Sequence, residues 1–306
     1  MPTLQQLRYL LALQETGHFR RAAEACHVTQ PTLSGQLKEL ETKLGATLVE
    51  RTRSRVVITP LGEEVVAHGR RALREVQEIR ALAQLHKGRL QTTIKVGVVQ
   101  SLGSYFVPLI IPDLHESHPQ LKLYLREGLP SSLVQSLNTG ALDLLFFPLP
   151  IRERDFETRA LFREPLHVVM PRDHRYAQME VIEPELLKGE TILALERGHR
   201  LFEQVQRICD QYGAHLSHDY EGTSLDTLRQ MVGMGMGLSL LPALYVKSEV
   251  AHQDIVVARP FQGTAPARTI GMVWRQSTAR AEEFQELGDQ IVASLRRRAP
   301  EISILG

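Results

Sequence analysis

Near residue 90 the spacing of apolar residues in this chain changes, and no single compact fold accommodates both patterns. Upstream, Leu4, Leu7, Leu10, Leu11 and Leu13 recur at helical spacing until Gly17 ends the run. A second short helix is expected over 19–26, with Ala22 and Ala23 inside it. Thr29 is a good N-cap and Pro31 suits a first helical turn. From there Leu33, Leu37, Leu40 and Leu44 form one stripe closed by Gly45. Two helices therefore meet at a tight turn, the second long and polar on its outer face. Residues 47–58 alternate as a strand does and carry Arg51, Arg53 and Arg55, which reads as a basic hairpin or wing. Thr59 and Pro60 open another helix, predicted to reach about His86. Its apolar seam, including Val66, Leu73, Ile79 and Leu82, suits dimerisation.

Beyond a hinge at 88–93 the pattern becomes strand and helix in turn. Strands are predicted at 93–99, 122–127, 142–147, 166–169, 191–195, 218–220 and 237–241, with helices between them, including one from about Phe106 and one over 133–138. Such repetition argues for an α/β domain with largely parallel sheets, and the 214 residues available suffice for two lobes. A length of 306 residues agrees, because a single core at ordinary domain size is smaller.

Charge divides along the same line. Residues 1–92 hold fourteen Lys and Arg against nine Asp and Glu, a balance of +5 that leaves −4 for the remainder of a chain whose net charge is +1. A basic N-terminal part ahead of an acidic remainder is the asymmetry expected of a DNA-binding module joined to something else. A hydrophobic fraction of 43% with 23% charged residues excludes wholesale disorder. No apolar run reaches the roughly 20 residues a membrane span needs. The N-terminus carries Gln, Arg and Glu where a secretory segment would be apolar, so a cytoplasmic location is expected. Cys26 and Cys209, the only cysteines, stand 183 positions apart and read as lone reduced thiols.

Residues 19–34, FRRAAEACHVTQPTLS, resemble the helix-turn-helix of the LysR-type transcriptional regulators, and the likeness runs on through Leu37, Leu40, Glu41, Leu44, Gly45, Leu48, Arg51 and 59–62. Further hallmarks are the strand at 94–97, Gly140-Ala141-Leu142-Asp143, and the stretch 232–242. The resemblance covers essentially the whole chain. It implies an all-α winged helix-turn-helix over 1–60, a linker and dimerisation helix with its hinge over 61–92, and a two-lobed effector domain of the periplasmic-binding-protein type over 93–306. Lobe I would comprise 93–164 and 269–306, and lobe II 165–268. It further implies a sequence-specific regulator that is not an enzyme, needs no cofactor or metal, and forms dimers of dimers on pseudo-palindromic promoter sites, with RNA polymerase and a small-molecule effector as partners. Thr29, Gln30, Pro31, Thr32, Ser34, Gln36 and Lys38 would enter the major groove, and Arg51, Arg53 and Arg55 would hold phosphates or the minor groove.

Within the family the pattern is most similar to the OxyR branch of peroxide sensors, with one departure. That branch has its attacking cysteine directly after a Gly-His pair, whereas Gly198-His199 is followed here by Arg200. Cys209 falls where the branch has its resolving cysteine, and Pro130 replaces a threonine, leaving Ser131 and Ser132 nearby. Arginine offers no redox chemistry, so a disulfide between the two positions is impossible. A guanidinium is instead a ready partner for an anion. The expected effector site comprises Ser101, Ser131, His199, Arg200, Glu203 and Thr223, with Cys209 the one redox candidate. An alternative is an OxyR-like oxidative-stress regulator working through Cys209 alone or without a disulfide. His115 and His118 lack a third ligand and read as surface residues, and 233–237 reads as a tight turn, not a phosphate loop.

Overall fold

The computed structural model describes residues 1–51, 56–85, 90, 93–251 and 254–305, with only the backbone of 51, 77, 78 and 80–85 described. These separate into two compact units, Met1–His86 and Lys87–Gly306.

In the first unit, the Thr3 side chain accepts from the Gln6 amide and Gln6 reaches back to Thr3, boxing the start of α1 (Leu4–Thr16), which ends at left-handed Gly17. After α2 (Phe19–Ala25), the turn passes through His27 at φ 55° into α3 (Gln30–Leu44), capped by Thr29 and closed by Gly45. Leu10, Leu13, Ala22, Leu33, Leu37 and Leu40 interlock as the core, each Leu contributing about 1.5–3 kcal/mol by leaving water. β1 (Val49–Arg51) and β2 (Val56–Ile58) form an antiparallel wing, pinned to α3 because the Glu41 carboxylate accepts from the Leu48 and Val49 amides at 2.8 and 3.0 Å. Thr59 caps α4 (Pro60–Leu85), and only glycine suits position 62, where a Cβ would stand 2.3 Å from the Leu48 carbonyl. Along α4, Val66 is 2% exposed and packs into its own unit, so it does not belong to a seam between chains; Ile79 is 64% exposed.

The second unit opens with β3 (Thr93–Val99), α5 (Gly103–Ser117), β4 (Lys122–Gly128), α6 (Pro130–Asn138) and β5 (Leu144–Leu149). β6 (Phe156–Pro171) leads away from this layer and, after a 3-10 turn at Pro184–Leu187, into β7 (Thr191–Leu195), α7 (Arg200–Tyr212), β8 (His215–Gly222), α8 (Leu225–Gly233) and β9 (Leu238–Pro242). The short α9 (Ala243–Tyr245), continued by a wide turn at Val246–Val250, leads through β10 (Val256–Pro260) to β11 (Ala267–Arg275), α10 (Ala281–Arg298) and β12 (Ser303–Ile304).

Two lobes result. β3 pairs in parallel with β4 and β5, and β7 pairs in parallel with β8 and β9. The strands joining them are antiparallel, which corrects the expectation of largely parallel sheets: β11 pairs antiparallel with β5 and β6, and β6 pairs antiparallel with β9, β10 and β12. The 16-residue β6 belongs to both layers, facing β11 as far as Pro165 and β9 from Leu166 onward. Among the described residues no helix is long and apolar enough to cross a membrane.

Candidate functional site

The reading helix is set by its buried side. With Leu33, Leu37 and Leu40 in the core, α3 turns Gln30, Pro31, Thr32 and Lys38 fully outward and leaves Ser34 and Gln36 half-buried. Thr29 spends its hydroxyl on the cap, accepting from the Thr32 amide at 3.3 Å with the two hydroxyls 2.8 Å apart. Gln36 is held on both sides: its amide donates to Glu39 at 3.1 Å and its oxygen accepts from Gln6 at 3.2 Å. Arg51 is described only by its place in β1, and Arg53 and Arg55 lie outside the described residues.

The six expected effector residues do not surround one cavity. Ser101 is buried, and the Arg268 guanidinium takes both of its oxygens, the hydroxyl at 2.9 Å and the carbonyl at 2.8 Å, while the Tyr105 hydroxyl also donates to that carbonyl. Arg268 donates through Nε at 2.8 Å to Glu164, whose other oxygen accepts from the Leu244 amide at 2.9 Å. Ser101 thus serves a buried network where β6 and β11 pair, and is not the open cleft donor that was expected. Thr223 does reach a cavity of about 150 Å³ between the lobes, together with Gln100, Ser104, Tyr105 and Tyr245. That cavity carries Glu127, Asp226 and Glu249 and no arginine or lysine, so it disfavours an anion. Ser131 is exposed on the first turn of α6 and lines neither this cavity nor the groove described next.

Arg200 opens α7. Its guanidinium donates to the Pro150 carbonyl, on the connection after β5, at 2.6 Å and lies 3.3 Å from Glu203. A groove of about 470 Å³ runs beside it, walled by Pro148, Leu149 and Phe202 and edged by Arg152, Glu203, Gln204 and Arg207. His199 sits at the cap position of α7 yet makes no capping bond, and is buried with its Nε2 lacking a hydrogen-bond partner among the described residues. Burial lowers its pKa, with Glu196 opposing, which favours the neutral ring, and the ring lines neither the cavity holding Thr223 nor the groove beside Arg200. Cys209 is 1% exposed in the core, and burial, helped by Asp210, pushes its thiol up to about 11. A sensing thiolate needs the opposite shift.

Sequence reasoning missed Arg152, Arg207 and Pro150. Arg207 was within reach, since it lies seven residues after Arg200 on the same helical face.

A helix-turn-helix with an exposed polar helix, on one chain with a two-lobed cavity-bearing domain, defines a ligand-responsive DNA-binding regulator. Residues 4–63 match the bacterial regulatory helix-turn-helix proteins of the lysR family, and residues 87–302 match the LysR substrate binding domain. The chain belongs to the LysR family of transcriptional regulators: its first domain binds DNA and its second takes a small-molecule effector. It is 39% identical over 292 residues, 95% of each chain, to the DNA-binding transcriptional dual regulator OxyR of Escherichia coli K12. Full-length OxyR of Pseudomonas aeruginosa, in a cysteine-to-aspartate variant, superposes with a TM-score of 0.76 at 40% identity over 94% of both chains. A hydrogen-peroxide-bound cysteine variant of Corynebacterium glutamicum OxyR superposes with a TM-score of 0.68 at 28% identity over 97% of this chain and 94% of that one.

Proposed function

We propose that this regulator is switched by a small polar or anionic effector and not by an intramolecular disulfide. The observation that carries the reading is the pair formed by Arg200 and Cys209: a guanidinium fixed at the start of α7, and a buried thiol with a raised pKa farther along it. The peroxide response named in the relatives' descriptions would need chemistry that Cys209 is poorly placed to supply. The expected division at 1–60, 61–92 and 93–306 is retained, with α4 as the dimerisation element. The assembly is a cytoplasmic dimer of dimers that contacts RNA polymerase on pseudo-palindromic sites and acts by binding, not catalysis. Gln30, Thr32 and Ser34 read bases, with Thr29, Pro31, Gln36 and Lys38 beside them, while Arg51, Arg53 and Arg55 hold the backbone.

Two measurements test this. Gln30→Ala and Ser34→Ala should each cost roughly 1–3 kcal/mol on a specific promoter site while nonspecific binding is nearly unchanged, whereas Arg53→Ala should weaken both and lower the salt slope by about one. Equal losses on random DNA would remove the base-reading assignment. Mass spectrometry after peroxide treatment should find no bond between Cys26 and Cys209 within a chain, and a thermal-shift screen of small anions should find stabilisation that depends on Arg200.

A further inference from the structure

The groove beside α7 differs in kind from the acidic cavity between the lobes. Arg200, Glu203, Gln204 and Arg207 share one face of α7, and Arg152 stands opposite, so three guanidinium groups meet one carboxylate. Neither the guanidinium of Arg152, whose backbone amide donates to the Glu153 carboxylate at 3.1 Å, nor the terminal nitrogens of Arg207 pair with a described residue; the Arg207 side chain bonds only through Nε, to the Glu203 carbonyl at 3.2 Å. Arg200 is held by a neutral carbonyl, which fixes its position without cancelling its charge, and its contact with the exposed Glu203 is long at 3.3 Å. A cation in the first turn also opposes the helix dipole, the arrangement least suited to stability and best suited to receiving an anion. Of the remaining lining, Pro148, Leu149, Pro150 and Phe202 are apolar and Gln206 is polar, and the volume of about 470 Å³ lies within the range of small-molecule pockets.

We propose that this groove binds an organic anion whose carboxylate or phosphate head lies among Arg152, Arg200 and Arg207 and whose apolar body lies on Pro148 and Phe202. The inference rests on reading Arg200 as an anion receptor and adds the groove, the two further arginines and the amphipathic character of the ligand. An inorganic ion would leave the apolar wall bare, and an uncharged analogue would leave the guanidinium groups without a charged partner.

The test is titration of the full-length protein with benzoate, hexanoate and phenyl phosphate, with benzamide and sulfate as controls, followed by calorimetry and saturation-transfer NMR. At least one organic anion should saturate, benzamide and sulfate should each bind about tenfold more weakly or worse, and Arg152→Ala and Arg207→Ala, both at exposed positions, should each weaken binding several-fold. Equal binding of benzamide, or failure of all three organic anions to saturate, would overturn the proposal. Failure of the groove is distinguishable from failure of the wider reading. If an anion binds in a way lost with Arg200→Ala but untouched by Arg152→Ala and Arg207→Ala, the groove is wrong and the anionic effector survives. If no anion shows dependence on Arg200, both fall.

Discussion

The lobes of the second unit are tied at two places by arginine, in opposite surroundings. Where β6 and β11 pair, Glu164 is 0% exposed and faces Arg268 in register, with Ser101 from one lobe and the Leu244 amide from the other completing the network. At the start of α7, Arg200 is a quarter exposed and reaches across to the Pro150 carbonyl. The first tie is dry and fully satisfied, so breaking it strands a charge; the second is wet, and water or an anion can replace any partner it loses. The buried tie is therefore built to hold, and the start of α7 to exchange.

The sharpest way to break this contrast is at the buried tie. Glu164→Gln is expected to destabilise the second unit by about 3–5 kcal/mol, since Arg268 stays buried without its counter-charge. Trp274, the only tryptophan and buried in this unit, reports its unfolding by fluorescence. A double change, Glu164→Leu with Arg268→Met, should recover much of the loss but not all, because the Leu244 amide and the Ser101 hydroxyl lose these partners while the Ser101 carbonyl keeps only Tyr105. If Glu164→Gln costs no more than a surface change, the two ties are alike.

Cys209 comes next in size. Its folded pKa stands near 11 against an ordinary 9.0, so the protonated thiol stabilises the fold fully below about pH 9, and that contribution of roughly 2–3 kcal/mol drains away as pH rises toward about 11. Urea titrations at a series of pH values, with Cys209→Ala as control, should show a steeper alkaline decline for the parent, and iodoacetamide should label native Cys209 slowly. For His199 the sign reverses: the lowered pKa favours the neutral ring in the fold, so stability is present above the unfolded value near 6.5 and falls as pH drops below it. His199→Gln should flatten that acid limb. The smallest effect falls on the exposed tie, where Arg200→Ala should change stability by less than about 1 kcal/mol while removing anion binding. A large loss of stability there would make Arg200 a structural clamp.

The same division between satisfied interior and wet surface explains what the amino-acid sequence disclosed. α3 and α4 were legible because Thr29, Pro31, Gly45 and Thr59 are local signals whose physics acts within one turn. β6 was legible only over 166–169. Its earlier half, with Glu157, Arg159, Arg163 and Glu164, looks like a solvated segment, and Glu164 is buried only because Arg268 arrives from far along the chain. α5 begins at Gly103, earlier than the expected start near Phe106, since neither Leu102 nor Gly103 supplies a side-chain cap and Pro108 and Pro112 interrupt the pattern. Arg200 and Glu203 were recognisable from their spacing, but their partner Pro150 and the separation of Thr223 into a different cavity depend on how the lobes close over one another.

The continuity of β6 has a consequence for how the second unit comes apart. Neither layer is complete without a segment of that strand, and the chain returns through β11 and β12 to pair with its first half after the other lobe has been made. A lobe that melted alone would strip hydrogen-bond partners from the strand still serving its neighbour. Calorimetric and van't Hoff enthalpies for this unit should therefore coincide, with both lobes lost in a single cooperative step, and any signal passed between them need not travel through a flexible joint because they share one length of backbone.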